Sequence, residues 1–162
     1  MGEIDEPEQP NGKLTRLRGL KGVYGLQIEV PTRLHLRVGA LSERSFRPGT
    51  YCYVGSAQAS LEKRIARHLR NEKKRFWHID FLLTEAPVQV VQVYYKEAGK
   101  ATECRMAQRL GHVFQTVEGF GASDCTCLGH LLYIGSNRQA MDDIMRRECS
   151  WYALSLRLEN AP

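Results

Sequence analysis

The sequence predicts a mixed α/β (α+β) fold in one domain, and three stretches carry that prediction. Gly22 to Val30 alternates Val23, Gly25, Gln27 and Glu29 with Tyr24, Leu26, Ile28 and Val30, the period-two pattern of a β-strand. Val88, Val90, Val91, Val93 and Tyr94 form a β-branched run suited to a buried strand. Between them, Leu61, Ile65 and Leu69 recur at i, i+4 and i+8 behind Ser60, whose hydroxyl suits the N-cap of a helix.

Length and composition bound the possibilities. The 162 residues suit a single domain, and 43% hydrophobic residues are enough for a sizeable core. No apolar run approaches the roughly 18 residues of a membrane span, so no membrane is expected. The first residues are acidic and Pro-containing, with neither the basic nor the apolar region of a secretory signal. Residues 1–19 are expected to be a flexible N-terminal tail, 20–147 the domain and 148–162 a C-terminal extension that packs back through Trp151 and Tyr152. Five cysteines, an odd number at irregular spacing, point to reduced thiols and a cytoplasmic location rather than a disulfide framework.

The remaining elements follow in order. Leu34, Leu36 and Val38 alternate with His35 and Arg37 as a second strand, after the break at Pro31 and Thr32. Arg47-Pro48-Gly49-Thr50 reads as a turn. Tyr51 to Val54 reads as a third strand stopped by Gly55-Ser56, and Trp77 to Leu83 as a short helix ahead of Pro87. Ala101 to Leu110 is helical. Leu131 to Ile134 is the last expected strand, and residues 138–147 form an amphipathic helix.

Charge is concentrated. Lys63, Arg64, Arg67, Arg70, Lys73, Lys74 and Arg75 against Glu62 and Glu72 leave a local excess of +5, the net charge of the whole chain. Such a patch attracts a polyanion, and a phosphate backbone is the commonest one. At about 100° per residue, Arg64 and His68 fall about 60° and about 20° to one side of Leu61, beside the apolar stripe. Glu103 sits at the centre of the stripe formed with Met106, Ala107 and Leu110, where a carboxylate is costly unless it is paired or binds a cation.

The order Gly22-Val23-Tyr24, Tyr53-Val54-Gly55, Arg64, His68, Glu103 resembles the GIY-YIG nuclease superfamily. The nearest resemblance is to its branch labelled domain of unknown function 123. That pattern stands here as Tyr53-Val54-Gly55-Ser56-Ala57, Arg67-His68-Leu69, Trp77-His78-Ile79-Asp80-Phe81-Leu82-Leu83, Glu103-Cys104 and Gly119-Phe120-Gly121-Ala122-Ser123-Asp124-Cys125-Thr126-Cys127. The likeness spans about Lys21 to Gly135.

The resemblance implies a small, mainly antiparallel central sheet flanked by helices; the long gap from Tyr24 to Tyr53 departs from the family pattern and gives room for an extra strand around Leu34 to Val38. It implies a divalent-metal-dependent DNA endonuclease. Tyr24 would be the base or water-positioner, Tyr53 would line the same site, Arg64 would contact the scissile phosphate, and His68 would stand one turn on. Glu103 would hold Mg²⁺ or Mn²⁺. Nucleic-acid contacts are expected from Lys63, Arg67, Arg70, Lys73, Lys74 and Arg75. Arg64 and a metal are expected to lower the pKa of the phenols, and Asn137 is the candidate for the late asparagine of nuclease members.

A separate signal is Cys125-x-Cys127-x-x-His130. It offers three nitrogen and sulfur ligands of the kind a structural zinc uses, with Cys104 or His78 as the fourth. Phe76, Trp77 and His78, beside the basic run, are expected to pack in the core, with base stacking as the other reading. Two further functions fit the same pattern: a non-catalytic nucleic-acid-binding module and a protein-interaction domain.

Overall fold

The computed structural model describes residues 10–157, so most of the acidic N-terminal stretch and the last five residues lie outside the described part. The centre is a six-stranded sheet. Its strands are β1 (Gly22–Val30), β4 (Gly49–Ala57), β5 (Gln89–Lys96), β6 (Gln115–Thr116), β7 (Leu131–Gly135) and β8 (Tyr152–Ser155). They lie in the order β6-β7-β4-β1-β5-β8, and every neighbouring pair is antiparallel. Between β1 and β4 the chain makes a separate hairpin, β2 (Leu34–Arg37) and β3 (Glu43–Phe46). The expected extra strand is therefore real, but it pairs with a neighbour of its own and not with the central sheet.

The period-two pattern of β1 is buried on both sides, because helices cover each face of the sheet. On one face Tyr24, Leu26, Ile28, Tyr51, Tyr53 and Val93 meet Leu61 and Ile65 of α1 (Leu61–Leu69) and Ile79 and Leu82 of α2 (His78–Leu83). On the other, Val23, Cys52, Val54 and Tyr94 meet Met106 and Leu110 of α3 (Ala101–Gly111) and Met141 of α4 (Arg138–Asp142). Among the described residues no helix is long and apolar enough to cross a membrane, and the five cysteines are free thiols.

Several boundaries differ from expectation for identifiable reasons. β4 does not stop at Gly55-Ser56 but runs on to Ala57. Gly55 is there for a side chain on the next strand, not for a turn. Within the segment read as a flexible tail, residues 10–17 form a 3-10 helix whose Leu14 and Leu17 are buried in the core. The helix expected over 138–147 changes from α to π geometry after Asp142 and ends at Glu148. β7 is not the last strand: the C-terminal segment returns as β8 beside β5, with Trp151 buried but Tyr152 exposed.

Candidate functional site

The register of the sheet builds the site. Tyr24 pairs with Gly55, and Tyr53 stands two residues back along β4, so both phenols project from one face as diagonal neighbours. Their ring centroids are 6.5 Å apart. A Cβ at Gly55 would stand 2.4 Å from the Tyr24 ring and hydroxyl, so the glycine makes the space that the phenol fills.

α1 packs over this face and supplies the partners. Ser60 caps it by accepting from the Lys63 N–H, and the buried seam of Leu61 and Ile65 sets its rotation. His68 thereby brings Nε2 to 2.7 Å from Tyr24 Oη, and its ring lies 6.2 Å from that of Tyr53. Arg64, one turn earlier, donates through Nη1 to the Ser56 carbonyl at 2.9 Å. Its guanidinium lies over the Trp77 ring at 4.5 Å and close enough to Tyr24 to favour a phenolate there. The structure thus brings Tyr24, Tyr53, Arg64 and His68 together.

Electrostatically, burial dominates. It raises the pKa of Tyr24 above the usual phenol value, against the opposing pull of Arg64, and it raises that of Tyr53 well above. The expectation that Arg64 lowers these pKa values holds in direction but loses in magnitude. Burial, reinforced by the Lys73 charge, also lowers His68 to about 3, so the imidazole is neutral at physiological pH. A neutral imidazole against a phenol is a proton donor–acceptor pair with both protons retained, and the buried Nδ1 of His68 has no hydrogen-bond partner.

Below the pocket, Asp80 is fully buried and organises the junction of α1 and α2. Its two carboxylate oxygens accept a fork from Arg67 at 2.9 and 2.8 Å, and Oδ2 also accepts the Phe76 and Trp77 N–H groups at 2.9 Å each. Burial alone would raise its pKa, but these four donors hold the carboxyl below the usual range. Lys73 donates to the carbonyls of Arg67 and His68 at the end of α1. Two of the six residues expected to bind nucleic acid, Arg67 and Lys73, therefore have structural partners, whereas Lys63, Arg70, Lys74 and Arg75 are exposed. Asp80 itself was legible as a charge inside the apolar run Ile79–Leu83. Asn137 stands at the start of α4 and makes no side-chain cap there.

A second cluster lies on the other side of β4. Cys104, Cys125, Cys127 and His130 bring one ligand atom each to within 4.8 Å of one another, and this group could hold a metal ion. His130 Nε2 is 3.4 Å from Cys125 Sγ and 3.8 Å from Cys104 Sγ. Its Nδ1 lies 2.9 Å from Glu103 Oε1 and 3.2 Å from the Val54 carbonyl. The alternative fourth ligand, His78, is engaged otherwise: its Nδ1 accepts the Gly121 N–H at 2.9 Å. Burial and the adjoining Cys127 and Cys125 thiols push Cys104 up to about 12, a repulsion that a bound cation would remove.

Glu103 links the two clusters. As its angle on α3 required, it points inward, with 14% of its side chain exposed. Its immediate partner is His130, while its charge also acts on both phenols. A family model described as domain of unknown function DUF123 matches residues 23–150, most of the chain. The chain belongs to the DUF123 family. The match takes in every element that carries the two clusters, so the DUF123 domain here comprises the tyrosine pocket, the Asp80 junction and the Cys/His group. No curated protein and no solved structure matches the chain.

Proposed function

We propose that this DUF123 protein is a nuclease of the GIY-YIG type that hydrolyses phosphodiester bonds in DNA. The observation that carries the reading is the 2.7 Å contact of Tyr24 Oη with a neutral, buried His68 Nε2, with Arg64 beside the phenol. A phenol whose pKa is raised by burial is a poor base, and burial holds His68 at about 3, so the pair acts by position: Tyr24, its hydroxyl held against His68 Nε2, orients the attacking water. Water adds to phosphorus and gives its proton to solvent, the P–O3′ bond breaks, O3′ takes up a proton from solvent, and Arg64 offsets charge on the pentacoordinate phosphate. Tyr53 packs against Tyr24 and His68 and restricts water around them.

Glu103 Oε1 is taken by His130, which leaves its second oxygen for a Mg²⁺ or Mn²⁺ ion that keeps most of its waters. Such an ion, when bound, supplies charge stabilisation at the leaving oxygen. The softer Cys104, Cys125, Cys127 and His130 set fits zinc. Tetrahedral Zn–S bonds of about 2.3 Å put sulfur ligands roughly 3.8 Å apart, a small contraction of the cluster. Glu103 and the Val54 carbonyl fix the Nδ1–H tautomer of His130, so that Nε2 faces the sulfurs, the usual arrangement behind a metal-bound histidine.

Plasmid nicking with added Mg²⁺ or Mn²⁺ tests the hydrolytic reading. Wild type should nick, and Tyr24→Phe and Arg64→Ala should each lose at least about a hundredfold in rate. Nicking unchanged in both variants would refute the pocket, and salt-sensitive binding without cleavage would favour a non-catalytic nucleic-acid module. Elemental analysis of purified protein should find one zinc per chain. Glu103→Gln should weaken zinc about 10- to 100-fold in a chelator competition while leaving the fold intact.

A further inference from the structure

Phe76 is 79% exposed, against the expectation that it packs in the core. A single exposed apolar side chain is ordinary on a protein surface. This one differs in three respects. Its backbone is pinned, because the Phe76 N–H and the next N–H both donate to the fully buried Asp80 carboxylate, which Arg67 holds in turn. The backbone that carries the ring is thus held by the Asp80 junction. Second, it stands in a cationic setting: Lys74 and Arg75 precede it, and both are exposed, as is Arg70. Third, it is contiguous with the tyrosine pocket. Its ring meets Trp77 edge-on at 5.8 Å, and Arg64 covers the same Trp77 ring at 4.5 Å, so Phe76 lies within about 10 Å of the guanidinium proposed to meet the scissile phosphate.

We infer that Phe76 is a stacking platform for an unpaired nucleobase one or two nucleotides from the phosphate held at Arg64, so that the substrate is DNA with a single-stranded segment at the cleavage point. The inference rests on the hydrolytic reading above and adds its substrate class. An aromatic face stacks on any base, whereas in an intact duplex the bases are already stacked on one another and offer no free face. Cations flanking an aromatic ring are the combination that holds a single strand by backbone and base together. The contact with Trp77 leaves Phe76 79% exposed, so its ring is open to a ligand.

The test is fluorescence anisotropy of a labelled single strand and of the duplex of the same sequence, with the full-length, metal-loaded protein and no added Mg²⁺. A second single strand carries 2-aminopurine to report stacking. Wild type should prefer the single strand and quench 2-aminopurine. Phe76→Ala should lose about 5- to 150-fold in single-strand affinity, the range for removing one stacked base, with little change for the duplex. Phe76→Tyr should restore both affinity and quenching, and Phe76→Leu should restore neither. Equal losses on strand and duplex, or rescue by Leu, would overturn the stacking role while leaving plasmid nicking, and so the hydrolytic reading, untouched. If wild type binds neither nucleic acid, the hydrolytic reading fails and the substrate class fails with it.

Discussion

Tyr24 depends on the absence of a side chain across the strand. With a Cβ at Gly55 placed 2.4 Å from the phenol, either the ring or the β1–β4 pairing must move. Gly55→Ala should cost about 1–3 kcal/mol in urea unfolding and weaken the Tyr24–His68 hydrogen bond. An alanine variant as stable as wild type would contradict this packing. His68 carries a pH signature. Burial is the largest influence, the charges of Lys73, Arg64 and Arg67 act in the same direction, and Asp80 alone opposes them, which leaves the folded pKa at about 3. The unfolded chain takes up this proton near pH 6.5 and the folded chain does not, so stability falls as pH drops from about 6.5 towards about 3. The slope for one proton is at most about 1.4 kcal/mol per pH unit. Above that window the group is neutral in both states and contributes no pH dependence. Unfolding of wild type and His68→Gln between pH 7 and pH 5 should show a shallower loss in the variant, and parallel curves would place a water or a charge beside the imidazole.

At the level of elements, α1 and α2 share one buried carboxylate as well as the apolar core they cover. Asp80 receives the Arg67 fork and two backbone N–H groups, so its removal orphans four donors, two of them at the start of α2. Asp80→Ala should cost about 3–5 kcal/mol, whereas Lys63→Ala, on the exposed side of the same helix, should stay within about 0.5 kcal/mol. Comparable losses at the two positions would show that the junction is not structural. Because pairing depresses the Asp80 pKa, its contribution is full at neutral pH and is lost as pH falls through and below the ordinary carboxylate range near 4. Local acceptors separate the cations of the Lys63–Arg75 stretch into two roles: Asp80 holds Arg67, and the carbonyls at the end of α1 hold Lys73. Arg67 and Lys73 are committed to protein acceptors, and the exposed four are not.

Across the whole molecule, β4 separates and connects two centres. Tyr53 faces the phenol pocket, and the next residue, Val54, offers its carbonyl to His130 of the Cys/His cluster on the far side. Lys63, Arg70, Lys74 and Arg75 are the exposed cations of the α1–α2 segment. Changing Lys63, Arg70, Lys74 and Arg75 to Ala together should weaken DNA binding at all sequences. It should also flatten the dependence of log affinity on log salt by up to about 0.9 for each duplex phosphate that is no longer neutralised. An unchanged slope would place the nucleic-acid face elsewhere.

Much of this was readable in the sequence because local pattern sets the element type. The strand pattern of β1, the i, i+4 seam of α1 and the inward angle of Glu103 are properties of neighbouring residues, and each survives folding, although β1 is buried on both faces and not on one. The convergence of Tyr24, Tyr53, Arg64 and His68 was legible as motif order, since a hairpin-like β1–β4 pair and the following helix can place them only nearby. Other choices belong to tertiary structure. Glu103 meets His130, and Cys104 rather than His78 completes the cluster, because the 117–130 loop folds back on β4. Arg67 and Lys73 leave the basic face because Asp80 and the end of α1 claim them. The phenols are less acidic than their cationic neighbours suggested because desolvation, which depends on everything packed around a group, outweighs one nearby charge. Sequence order fixes which groups can meet, whereas long-range packing decides which donors find which acceptors and how much water remains.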